Sequence, residues 1–223
     1  ASVTAAASAA AASSSTTRDA ADATTPQKTG VRLDRTISQT SEVVLVPLGN
    51  VKIKALFAVY TATVGGTPAE EEEPSEEQLT AVMYLKELIE NPYLDLAVWT
   101  PHHIRKKKEL FFTGMIVAPG NVLKYLELRG PPTFEDWEAA MIVGKNAFMM
   151  AKIITPNTMD RYIRRVRRYA RRYGPQCWAL LYQAESRMRH EHVIRIYRKL
   201  SAKYEREGSE ASTRFEAAPW SEV

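Results

Sequence analysis

Seven arginines fall within twelve residues of this chain, between Arg161 and Arg172, in the stretch MDRYIRRVRRYARRY at 159–173. Few patterns constrain a fold more. At about 100° per residue a helix sorts this stretch into two faces. Met159, Tyr162, Ile163, Val166, Tyr169, Ala170 and Tyr173 occupy one arc of roughly 120°. Arg161, Arg164, Arg165, Arg167, Arg168, Arg171 and Arg172 occupy the opposite arc of roughly 160°. A strand would scatter both sets across its two faces. The spacing therefore predicts a helix with one side, including all three tyrosines, in a core and the other turned to anions.

Charge is distributed unevenly around that helix. Residues 161–206 carry fourteen Lys or Arg against three Glu, a net of +11 in a chain whose total is +4, which leaves −7 elsewhere. Such a split implies a localised basic surface with a polyanionic partner, or an acidic segment that masks it within the chain. The candidate mask is Glu70, Glu71, Glu72, Glu73, Glu76 and Glu77 around Pro74 and Ser75. One cysteine, Cys177, excludes an internal disulfide and a Cys-rich zinc knuckle, and suits a reducing compartment. No run approaches the ~18 apolar residues of a membrane span. The first residues, rich in Ala and Ser, lack the basic start and apolar stretch of a signal peptide. They open without Met, as a fragment or processed product would.

Three regions follow from the pattern. Residues 1–40 read as a disordered Ala/Ser/Thr-rich tail, 41–206 as one α+β domain with its helical core at 133–206, and 207–223 as a flexible tail. Within the domain, β-branched runs at 41–47 and 51–64 flank Leu48, Gly49 and Asn50, which predicts a first hairpin. Ser75 caps the next helix, with Gln78 completing a capping box, and Pro92 ends it. The apolar stretch 92–99 follows. Strands at 109–118 and 122–129 turn at Pro119, Gly120 and Asn121, and the second strand is expected to bury at least one face. Thr133 starts a helix that runs to about Ile153, with Phe134, Trp137, Met141, Phe148 and Met149 inside. The arginine helix comes next and stops at Gly174 and Pro175; a last helix extends from about 176 to 206. Strands are grouped before helices rather than alternating with them. This makes the class α+β, small antiparallel hairpins followed by a three-helix region.

The arginine face suits phosphate, because guanidinium is permanently charged and grips phosphate oxygens through a planar fork. Along about 18 Å of helix it can follow a nucleic-acid backbone for several phosphates. A solvated basic face on a packed helix is the alternative, opposed by the repulsion among neighbouring cations. Arg105, Lys106, Lys107 and Lys108 form a secondary basic run, a further phosphate contact, a nuclear-import signal or simply a solvated loop. His190 and His192 lie about 200° apart on a helix and cannot share a metal, and His102 and His103 have no thiol nearby. No metal and no other cofactor is proposed. Cys177 beside Trp178 reads as core filling rather than a nucleophile. Nucleotide-binding glycine loops and nucleophile motifs are missing. The expectation is therefore a non-enzymatic protein with no small-molecule substrate and no membrane contact.

Four blocks together, PYLDLAVW at 92–99, GPPTFEDW at 130–137, YGPQCW at 173–178 and YQAESRMRHEH at 182–192, resemble a recurrent family of uncharacterised reading frames in dinoflagellate-type protist genomes. The resemblance covers about half of the chain and implies no activity. Recurrence of that kind suits mobile-element proteins. A helical region whose first helix carries Trp is similar to retroelement Gag capsid segments, from which this chain departs in lacking a Cys/His knuckle. Two functions are thus expected. One is nucleic-acid or other polyanion binding through the arginine helix, inside the cell, in nucleus or cytoplasm. The other is a Gag-like assembly protein, a homo-oligomer joined through its last helix.

Overall fold

The computed structural model describes residues 30–37, 42–87, 93–101, 109–192, 195, 202 and 206. The chain is α+β, as its pattern predicts. Strand β1 (Val31–Arg32) leads into a single turn, α1 (Leu33–Thr36), and pairs antiparallel with β2 (Val44–Leu45). Val31, Leu33 and Ile37 are buried, so residues 31–37 belong to the core rather than to the tail assigned to 1–40. An alternating Val, Leu and Ile pattern this short is hidden beside a long Ala/Ser tract.

The second strand of the expected first hairpin is instead a helix, α2 (Asn50–Val64). Its buried residues, Ile53, Leu56 and Tyr60, are spaced three and four apart, a helical period that the alternation of Lys52 and Lys54 conceals. Gly49 opens α2, and Gly65 closes it in the left-handed conformation at φ 86°. The acidic run forms a short 3-10 turn, Glu70–Glu72, and then α3 (Glu76–Glu87). There the capping box is present: Gln78 N–H donates to Ser75 Oγ at 3.2 Å, and Ser75 N–H donates to Gln78 Oε1 at 2.9 Å. Leu94, Leu96 and Trp99 from the next stretch are buried, and the Trp99 indole donates to the Ala140 carbonyl at 3.1 Å.

Strands β3 (Phe111–Ala118) and β4 (Val122–Arg129) form the second antiparallel sheet, Phe111 opposite Arg129. Their turn is made by Gly120 and Asn121, both at positive φ. The expected buried face of β4 is not there. Leu123, Tyr125 and Leu126 are exposed, because the hairpin rests on the helices chiefly through β3. Gly114 sets that approach: a Cβ there would lie 2.3 Å from the Ala179 Cβ.

Three helices complete the core. These are α4 (Phe134–Met150), α5 (Pro156–Tyr173) and, after the turn Pro175–Cys177, α6 (Trp178–Arg187). Thr133 caps α4 by accepting from the Asp136 N–H at 3.1 Å. A π-helical turn, Met188–His192, continues α6, where an uninterrupted α-helix was expected. Trp137, Trp178, Tyr162 and Tyr182 meet between the helices, and the Trp178 indole donates to the Pro131 carbonyl at 2.9 Å.

Candidate nucleic-acid interface

Helix α5 carries the arginine face, and its placement follows from its apolar residues. Met159, Tyr162, Ile163 and Val166 are buried against α4 and α6. Two ion pairs set its direction: Lys145 Nζ meets Asp160 Oδ1 at 3.0 Å, and Arg167 Nη2 meets Glu138 Oε1 at 2.7 Å. Both pairs step seven residues along each helix in opposite senses, so α4 and α5 are antiparallel. The last turn of α5 therefore lies level with the first turn of α4 and the start of α6, at one end of the bundle. Burial stops accordingly. From Arg167 to Tyr173 every residue is half-buried or exposed.

Six of the seven predicted arginines are exposed: Arg161, Arg164, Arg165, Arg168, Arg171 and Arg172. Arg164 Nε donates to the Asp160 carbonyl, and the Arg172 guanidinium sits 5.6 Å from the centroid of the Tyr173 ring. Arg167 is half-buried and engaged by Glu138, so the helix spends that one on its own fold. Like-charged pairs three or four apart each cost a helix about 0.2–0.5 kcal/mol. The buried side of α5 offsets that repulsion. Arg171 and Arg172 also stand in the last turn, where cations oppose the negative end of the helix dipole.

The acidic run does not pair with these arginines through Glu70, Glu71, Glu72, Glu73 or Glu76. It packs against α4, where the Asn146 side chain donates to the Glu72 carbonyl at 2.9 Å. Masking thus finds no ion pair to stand on among those five residues. The secondary basic run Arg105, Lys106, Lys107 and Lys108 lies outside the described residues, as do His102 and His103. Cys177 is half-buried at the head of α6, and His190 is exposed, its ring 4.9 Å from that of Tyr93.

Two features escape a sequence reading. Tyr169 and Tyr173 were placed with Tyr162 on the core side, yet they are 42% and 48% exposed. A helical wheel assigns faces but not where the neighbouring helices end. The other is a buried charge cluster. Glu185 and Arg189 are almost wholly buried and paired with each other, and Arg189 also donates to the Leu94 carbonyl. Tyr162 Oη donates to Glu185 Oε1 at 2.8 Å, and the Tyr93 ring lies under the guanidinium at 5.3 Å. Burial opposes the charge of Arg189, but Glu185 outweighs it and raises the guanidinium pKa above its ordinary value. Burial first, then the Glu185 carboxylate, pushes the Tyr162 hydroxyl well above the usual tyrosine range. The signal was there in the register: Glu185 and Arg189 follow Trp178 and Tyr182 at the spacing of the buried row.

Comparison with protein-family models, with curated proteins and with solved structures returns no match.

Proposed function

We propose that this protein is a non-enzymatic nucleic-acid-binding protein that holds the phosphate backbone on the arginine face of α5. The supporting observation is that Arg161, Arg164, Arg165, Arg168, Arg171 and Arg172 all reach solvent from one rigid helix. A helix that tolerates this repulsion gains from any ligand that neutralises it, and phosphate matches the guanidinium fork. A single basic stripe positions a backbone without reading base edges, so little sequence preference is expected. The setting is where nucleic acid is met, in the nucleus or cytoplasm. Among the described residues no helix is long and apolar enough to cross a membrane.

The test is fluorescence anisotropy with labelled oligonucleotides across a salt series, beside a variant with Arg164, Arg165, Arg168 and Arg171 changed to Gln. Wild type should weaken steeply with salt, and the variant should lose about 0.7–0.9 of log–log slope for each phosphate contact removed. Equal, feeble binding by both proteins sinks the reading.

A second reading, an assembly protein that joins copies of itself, is favoured by a different surface. The β3–β4 hairpin exposes Phe111, Val117, Val122, Leu123, Tyr125 and Leu126 beside a strand edge that has no partner among the described residues. Light scattering over a concentration series decides it: mass that rises with concentration, and falls back in Leu123→Lys with Tyr125→Lys, supports assembly. A constant monomer removes it.

A further inference from the structure

The proposed phosphate surface has an aromatic border that changes what it can hold. Tyr169 and Tyr173, one turn apart, expose 42% and 48% of their surface at the open end of the bundle. Their rings are near-parallel, with planes 18° apart and centroids separated by 6.4 Å. An exposed aromatic pair is an unusual use of apolar surface, since nothing in α4 or α6 buries it. Beside it on the helical wheel run Arg161, Arg165, Arg168 and Arg172, within roughly 60° of one another, and Tyr169 follows at about 40°. Arg172 lies over one face of Tyr173, adding a second planar group of the kind on which bases stack. One end of α5 thus joins a line of cations to a short ladder of flat faces.

A duplex uses only half of this arrangement. Its phosphates would meet the arginines, but its bases are already stacked and paired inside. Unpaired bases, by contrast, are free to lie on tyrosine rings, and proteins that hold single strands combine a cationic track with such platforms. We propose that the nucleic acid held on α5 is single-stranded, with phosphates on Arg161, Arg165, Arg168 and Arg172 and bases stacked on Tyr169 and Tyr173. This rests on the phosphate-binding reading above and narrows it. DNA and RNA share the chemistry, an unpaired base on a flexible backbone, and the aromatic pair does not choose between them.

The experiment compares the full chain with two double variants by anisotropy and by competition. Tyr169→Leu with Tyr173→Leu keeps helix propensity and removes the rings; Tyr169→Phe with Tyr173→Phe keeps the rings and removes the hydroxyls. Probes are oligo-dT, oligo-U, a duplex and an abasic strand of equal length, with heparin as competitor. Wild type should favour oligo-dT and oligo-U over duplex and abasic strand. The Leu variant should lose about tenfold or more toward the two homopolymers, with its salt slope, its abasic binding and its heparin competition unchanged. The Phe variant should bind as wild type does. A difference between oligo-dT and oligo-U reports the sugar and the thymine methyl together and leaves the stacking inference intact. A Leu variant that equals wild type on oligo-dT, or a wild type that prefers duplex, overturns the single-strand inference while backbone binding stands. Failure of wild type to bind any probe at low salt, heparin included, removes the phosphate reading and this inference with it.

Discussion

Arginine plays opposite parts in two neighbouring helices. On α5 six guanidiniums are exposed, close enough to repel, and open to an anion from solvent. Just beyond α6 a single guanidinium, Arg189, is as buried as a leucine, with Glu185, the Leu94 carbonyl and the Tyr93 ring around it. A buried cation is tolerated only when its partners are already in place, whereas an exposed one keeps its capacity for a ligand. Residue type alone does not separate an arginine closed into the core from one open to a ligand here. Burial does.

That contrast can be broken by mutation. The largest effect is expected at the buried pair. Arg189→Leu, or Glu185→Leu, strands a charge in the core and should lower stability by about 3–5 kcal/mol. The double change to Leu should recover part of the loss, because it leaves no unpaired charge, although the Tyr162 hydroxyl loses Glu185 and the Leu94 carbonyl loses Arg189. Urea denaturation monitored by tryptophan fluorescence reads this directly. A single variant as stable as wild type would show that the pair is not closed in solution.

Next comes the alkaline limit of the same cluster. The folded pKa of Tyr162 lies well above its unfolded value, and that of Tyr182 is raised too. Unfolded tyrosine loses its proton near pH 10 while the buried rings keep theirs, so stability is full below about pH 10. It should fall above that by up to about 1.4 kcal/mol per pH unit for each tyrosine, until the folded pKa is passed. Denaturation curves between mildly and strongly alkaline buffer should show this slope, and Tyr162→Phe should make it shallower.

Arg167 sits between the two classes, 36% exposed and paired with Glu138. Arg167→Gln should cost only about 0.2–1 kcal/mol, the range of a partly solvated pair. A loss of several kcal/mol would move it into the buried class. Smallest of all is the effect of changing Arg164, Arg165, Arg168 and Arg171 together to Gln. Thermal unfolding should stay within about 0.5 kcal/mol of wild type, or rise as repulsion is relieved. If that variant unfolds readily, the exposed arginines support the fold and the contrast fails.

The parts of this structure that could be read in advance are those where one local rule dominates. Helix α5 was legible because its faces separate so cleanly, and the caps at Ser75 and Thr133 because their hydrogen bonds close within four residues. Helix α2 is hidden in the sequence because Val, Ile, Thr and Tyr favour strands locally, while its buried row of Ile53, Leu56 and Tyr60 is set by packing on α4. Strand β4 carries the alternation of a half-buried strand, yet no layer among the described residues covers either face along most of its length. Glu185 and Arg189 escaped because charged residues at core spacing are easily taken for solvated ones. In the candidate site the arginines were visible at once, and the exposed tyrosines were not, since their exposure depends on where α4 and α6 begin.

The Arg189 contact with Leu94 spans 95 residues of chain. A ribosome adding about 5–20 residues per second needs roughly 5–20 s to supply that donor after Leu94 is made. Until then the Leu94 carbonyl has no guanidinium to accept from, and Leu96 and Trp99 wait beside a half-built core. Nascent chains arrested short of Arg189 are accordingly expected to be cut by added protease at 93–101, and chains arrested well beyond it to resist. On that expectation the turn that carries Arg189 closes the core around Leu94 only once it has been made.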